Sequence, residues 1–232
     1  MNKQKYKAMA RQHYFKMIFI ILFPMLLSSC VKEGLLDEDL ETGNENSKLY
    51  VGETIQFKSN DKNTKWKSSN KFIGTIDEDG LFTAHHIGKV KINATHEGKK
   101  SSTEITVLPK ITDIPEPVIS FGGSKEQIKD LEKRNLLNDS GPAISFETDS
   151  PYVESLYYVF QGGKCVYAIV RFKNNVDIDI EYILSFFQER YESIGTEKDD
   201  YYFTDQKRKI VIAVSTKDQF NGRYAVYEKR KS

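Results

Sequence analysis

The chain has 232 residues, with 34 Lys and Arg against 33 Asp and Glu, 39% hydrophobic residues and only two cysteines. That length holds two small domains, each with its own core. The balanced charge gives no electrostatic case for nucleic-acid binding, and two cysteines exclude a disulfide-stapled scaffold.

Residues 17–30 read Met-Ile-Phe-Ile-Ile-Leu-Phe-Pro-Met-Leu-Leu-Ser-Ser-Cys. Lys3, Lys5, Lys7, Arg11 and Lys16 precede this run, with no acid among them. A basic stretch before a short apolar core is the layout of a secretory signal. About 20 apolar residues are needed to span a bilayer, and this run is shorter. Its ending, Leu27-Ser28-Ser29-Cys30, resembles the lipobox of bacterial lipoproteins. The resemblance implies a signal peptide over 1–29, cleavage after Ser29, and lipid (palmitate) modification of Cys30. Without residues 1–29 the chain carries 29 basic and 33 acidic residues, a net charge of −4. Cys165 is then left without an intrachain partner.

Residues 30–48 comprise that cysteine and a polar, acidic stretch with few large apolar residues. Such a composition predicts a flexible tether. An acidic stretch here also resembles the surface-export signals of some Gram-negative lipoproteins; the tether reading is preferred. Val31, rather than aspartate, follows the cysteine, and the sorting pattern it resembles implies the outer membrane.

Residues 49–108 alternate apolar and polar positions, as in Ile55 and Phe57, Val90, Ile92 and Ala94, and Ile105 and Val107. Period-two alternation predicts half-buried strands. Asp77-Glu78-Asp79-Gly80 and Glu97-Gly98 supply turns. Several short strands in so short a segment predict a β-sandwich. The pattern then becomes specific. It comprises Val51-Gly52-Glu53-Thr54, Trp66-Lys67-Ser68-Ser69-Asn70, Ile73-Gly74-Thr75-Ile76-Asp77, Asp79-Gly80-Leu81-Phe82-Thr83-Ala84, Gly88-Lys89-Val90-Lys91-Ile92-Asn93-Ala94 and Ile105-Thr106-Val107. It resembles the group 2 bacterial immunoglobulin-like (BIG2) domain over nearly its full length. Gly74 stands where that family often has alanine. Trp66 is expected to supply much of the buried surface, and Gly80 to allow a turn with positive φ. The resemblance implies a spacer or adhesion module of surface proteins, with no catalytic residues.

Residues 109–117, Pro-Lys-Ile-Thr-Asp-Ile-Pro-Glu-Pro, form a linker. Three prolines restrict it to extended conformations and predict a semi-rigid spacer. Residues 118–232 then change character. Helices are expected over 124–134 and 179–191, the second with an apolar stripe of Ile180, Ile183, Leu184, Phe187 and Tyr191. Three strands are expected after each helix: 143–147, 154–160 and 165–172, then 201–204, 209–215 and 223–227. The expected class is therefore multidomain: an all-β immunoglobulin-like sandwich followed by an α+β domain, order αβββαβββ. Its antiparallel sheet carries both helices on one face. Tyr157-Tyr158 and Tyr201-Tyr202 are the one obvious echo between the halves.

The search for chemistry yields little. The three histidines after the signal are His85, His86 and His96. Adjacent strand residues face opposite sides, so His85 and His86 do not readily chelate one metal. Residues 118–232 contain no histidine, which excludes a Ser-His-Asp or Cys-His set there. Cys165 reads as a structural, half-buried thiol. Asp177, Asp179 and Glu181 read as helix-capping acids rather than a calcium loop. Phe121-Gly122-Gly123-Ser124 is a weak anion-binding signal, and the basic end Glu228-Lys-Arg-Lys231 reads as a solvated terminus. No cofactor and no metal are assigned.

Ten tyrosines lie after residue 118. At each doublet one ring is expected to face the helices and the other to face out. The rings serve either cross-strand packing or an aromatic face for a glycan or protein. The candidate face is Tyr157, Tyr158, Tyr201 and Tyr202. The expected function is a non-enzymatic binding or adhesion role for a cell-envelope lipoprotein. Its membrane partner is reached through the lipid on Cys30, its ligand is a glycan or envelope protein, and it binds no nucleic acid. The alternatives are a carboxylate-dependent glycan hydrolase and an assembly or inhibitor subunit of an envelope complex.

Overall fold

The computed structural model describes residues 31–35, 47–59, 63–174, 176–215 and 222–231. The signal segment 1–29, Cys30 and most of the tether lie outside the described residues.

The first domain contains β1 (Val31–Leu35), β2 (Ser47–Tyr50), β3 (Thr54–Lys58), β4 (Lys65–Ser68), β5 (Gly74–Ile76), β6 (Leu81–Ala84), β7 (Gly88–His96) and β8 (Lys99–Leu108). They form two four-stranded sheets, β1-β3-β6-β5 and β2-β8-β7-β4. Alternate residues of these strands meet in one core, with Leu49, Phe82, Ile92 and Ile105 fully buried. That is the period-two pattern converted into a sandwich. Trp66 is only partly buried and packs on the edge of this core, its ring 5.9 Å from that of Phe57. Phe82 and Leu49 occupy the centre expected of it. Gly80 has φ +83°, and a Cβ there would stand 2.7 Å from the Phe57 carbonyl oxygen. Val31–Leu35, read from sequence as the start of a tether, pairs in parallel with β3. An edge strand presents unpaired N–H and C=O groups, and β1 takes up those of β3.

Residues 109–117 are not a spacer. Ile111 and Ile114 are buried in the core of the following domain. The carboxylate of Glu189 accepts the N–H groups of Lys110 and Ile111 at 3.0 and 3.2 Å. Tyr182 donates its hydroxyl to Asp113, and Tyr191 donates to Glu116. The first domain also touches the second directly. The Ile87 N–H donates to the Glu189 carbonyl at 2.8 Å, and the Asn70 and Gln206 amides exchange hydrogen bonds.

The second domain contains α1 (Lys125–Leu131), β9 (Leu136–Ser140), β10 (Ala143–Glu147), β11 (Val153–Gln161), β12 (Lys164–Phe172), α2 (Ile180–Gln188), β13 (Glu192–Glu197), β14 (Asp200–Thr204), β15 (Ile210–Ser215) and β16 (Tyr224–Lys229). Ser124 and Asp179 cap the two helices, accepting the N–H groups of Gln127 and Glu181. Ile128 of α1 is fully buried, but Leu131 is 47% exposed. All eight strands form one antiparallel sheet, order β13-β14-β15-β16-β12-β11-β10-β9. Each helix is thus followed by four strands, not three. The extra strands, β9 and β13, are the sheet's two edges, and almost every residue in them is exposed. Without a buried face they carry no apolar alternation, the signal by which strands are read.

The two halves repeat one plan, a helix and a four-stranded meander. Glu132 and Glu189 end the helices, Phe146 and Phe203 sit in the second strands, and Tyr167-Ala168 and Tyr224-Ala225 in the fourth, all at one spacing. Ile169 and Val226 share that spacing and face each other across β12 and β16. An approximate two-fold axis therefore passes through this pair. The doublet Tyr157-Tyr158 lies on β11 and Tyr201-Tyr202 on β14, which are not equivalent strands.

Candidate binding face

Strand register sorts the second domain's side chains into two faces. Ile144, Tyr158, Ala168, Tyr227, Ile212 and Phe203 stand in one row across the sheet. All are buried, and they share one cluster with Ile128 of α1 and Ile183, Leu184, Phe186 and Phe187 of α2. The row beside them, one residue along each strand, points the other way: Ser145, Tyr157, Ile169, Val226, Ala213 and Tyr202. From Tyr157 to Tyr202 these residues are partly exposed. On the same side the next row sets Val159, Tyr167, Glu228 and Val211 side by side. Arg171 and Tyr224 are paired on its other flank.

The four candidate tyrosines therefore divide. Tyr157 and Tyr202 stand in one row on the face turned away from the core. Tyr158 is fully buried; its hydroxyl donates to Glu132 at 2.7 Å and accepts the Val118 N–H at 2.8 Å. Burial and the adjacent Glu132 carboxylate push its phenol far above the ordinary range. Tyr201 packs against the buried cluster. Tyr158 and Tyr201 thus belong to the interior rather than to a binding face.

The exposed face is mostly apolar, with phenol hydroxyls spread over it and one ion pair at its margin. The Arg171 guanidinium lies 3.0 Å from a Glu154 carboxylate oxygen, and its Nη1 donates to the Tyr157 hydroxyl at 3.4 Å. This arrangement offers dispersion contact and directional hydrogen bonding to a flat partner. Tyr167 and Tyr224, related by the approximate two-fold, count among the ten tyrosines but were not assigned to the candidate face, because they stand singly. The shared Tyr-Ala dipeptide was the signal that could have found them.

The other candidate groups have structural partners. His85 Nε2 lies 2.8 Å from Thr75 Oγ1, and His86 stacks on Phe72 with centroids 3.9 Å apart. Burial lowers the His85 pKa, and His86 adds to the shift. Burial pushes the Cys165 thiol up to about 11, so thiolate is scarce at neutral pH. The Gly122 and Gly123 N–H groups donate to the Cys165 and Ser120 carbonyls, leaving neither to an anion. Asp77 Oδ1 accepts the Leu81 N–H at 2.8 Å and closes the turn before β6. Among the described residues no group of three or more His, Cys, Asp or Glu side chains is placed to hold a metal ion.

Residues 43–107 match the family model of the bacterial Ig-like domain (group 2). The match covers β2 to β8 of the first domain, all but the last residue of β8, and leaves out β1. No curated protein matches the chain.

Proposed function

We propose that the chain is an envelope lipoprotein of the bacterial outer membrane with a non-enzymatic binding role, tethered by lipid on Cys30. In this reading the immunoglobulin-like domain is the stalk. The second domain is the binding module, an α+β unit whose antiparallel sheet carries both helices on one face and binds from the other. The observation that carries the proposal is the row from Tyr157 to Tyr202 with Ile169 and Val226 between them, a laterally continuous apolar surface that neither helix covers. Apolar faces of this kind, set with tyrosine hydroxyls, suit a glycan or an envelope protein. The hydrogen bonds from Ile87, Asn70 and Gln206 support a stalk that holds this face in a fixed direction.

The proposal is tested in two steps. Cys30→Ala should move the protein out of the membrane fraction; unchanged membrane association would remove the anchoring half. The mature protein is then screened against envelope glycans and envelope proteins. The pair Tyr157→Ala and Tyr202→Ala should weaken the ligand found by about tenfold or more, the size of a lost aromatic contact. Undiminished binding, or hydrolytic turnover of a glycan in place of binding, would overturn the other half.

A further inference from the structure

The Asp205–Lys209 turn and residues 229–231 meet at one edge of the second domain. Asp205 Oδ1 accepts the N–H groups of Lys209 and Ile210 at 2.6 and 2.9 Å and fixes the turn. The Arg230 N–H donates to the Lys209 carbonyl at 2.8 Å, and Lys229 pairs with Ile210. Two basic segments, distant in sequence, thereby flank one groove. Arg208, Lys209, Lys229, Arg230 and Lys231 line it together with Ile119, Phe121 and Ile210. Among the described residues no carboxylate lines it. Glu192 bonds Arg208 from outside the groove, at 2.9 Å, and offsets one of the five charges. Ile119, which shares this lining with the cations, is 42% exposed.

We propose that this groove binds the headgroups of anionic lipids at a bilayer surface, with the exposed Ile119 at the boundary between headgroups and acyl chains. The cations concentrate on a chain that is acidic once residues 1–29 are removed, so the attraction is local. The exposed Ile119 beside them favours lipid over a soluble polyanion, because a lipid surface offers hydrocarbon next to its headgroup charge. Each Lys or Arg near an anionic membrane strengthens binding by roughly fivefold, and salt weakens it. This contact is separate from the lipid on Cys30 and from the sheet face, so it is tested on residues 31–232. That segment contains every described element and both cores.

The experiment is co-sedimentation with vesicles of phosphatidylcholine alone and of phosphatidylcholine mixed with phosphatidylglycerol. The protein should pellet with the mixed vesicles only. Lys229→Gln, Arg230→Gln and Lys231→Gln together should weaken that association by roughly a hundredfold. Ile119→Ser should weaken it while keeping its salt dependence. Lys65→Gln, Lys67→Gln and Lys91→Gln, an exposed triplet on the first domain, should leave it unchanged. The proposal fails if anionic vesicles are not bound, or if the two triple variants lose binding equally. It also fails if soluble polyphosphate competes fully while Ile119→Ser has no effect, since that marks a polyanion site.

Discussion

At Gly74 a methyl group would stand 2.2 Å from the Phe82 ring and 2.7 Å from the Thr83 carbonyl oxygen. That contact explains why glycine occupies a position where the group 2 pattern often has alanine. Phe82 is fully buried across the β5–β6 pairing, and its ring takes the space a side chain at 74 would need. Gly74→Ala should therefore destabilise the first domain by about 1–3 kcal/mol, the usual cost of overpacking. Adding Phe82→Leu should recover part of the loss. Urea denaturation followed by Trp66 fluorescence reads both, and an unchanged midpoint in the single variant would refute the packing account. Gly80 and Gly74 also mark what a sequence conveys at this scale. The positive φ of Gly80 follows from local turn chemistry and was legible. The constraint on Gly74 comes from a ring on the neighbouring strand, and no local pattern announces it. The tyrosine doublets behave likewise: alternation predicted that each pair would split, but only the register across the sheet put Tyr157 and Tyr202 on the same side.

The proline-bearing segment 109–117 illustrates the same limit at the scale of elements. The prolines announced a break between the domains, and the segment contains no helix or strand. Its docking was not legible, because it depends on Tyr182 of the distant helix α2 and on Glu189 and Arg190 just past that helix's end. Glu189 is 5% exposed and serves two linker N–H groups, while Arg190 binds the Ile111 carbonyl at 2.8 Å and lies over the Phe186 ring. Glu132, at the same place in the first half, is equally buried and accepts from Tyr158 and Arg134. Each half thus uses the acid ending its helix to satisfy groups outside that helix. Hydrogen exchange should show it. The amides of Lys110, Ile111 and Val118, bonded to Glu189 and Tyr158, should exchange slowly, within the range of the sheet interior. Those of the exposed edge strands β9 and β13 should exchange first. In Glu189→Gln, which keeps the shape but loses an acceptor and the ion pair with Arg190, the Lys110 and Ile111 amides should speed up while β12 and β16 do not. Linker amides exchanging as fast as an unstructured peptide would show that the clamp does not hold.

Across the whole molecule, the second domain buries an unusual set of weak acids around one core. Burial raises the Cys165 thiol to about 11 and, helped by Asp113, the Tyr182 phenol to about 12. Tyr158, Tyr191 and Tyr227 are raised further, burial being the largest cause in each. In an unfolded chain these groups titrate near their ordinary values, about 8.5 for a thiol and about 10 for a phenol. Between those values and the raised ones, the folded protein holds protons that the unfolded chain has released. Stability must then fall with rising pH. It is fully present below about pH 8.5 and is lost progressively as pH climbs through 9 toward 12. The urea midpoint of the second domain should accordingly be level near neutrality and decline from about pH 9. The thiol titrates first in the unfolded chain, so Cys165→Ala should delay the onset of the decline toward pH 10, where the tyrosines take over. Tyr182→Phe should leave that onset in place and flatten the upper part of the curve. A midpoint that stays level to pH 11 in the unsubstituted protein would mean that the core does not keep these protons, and that the packing of tyrosines beneath α1 and α2 is looser than described.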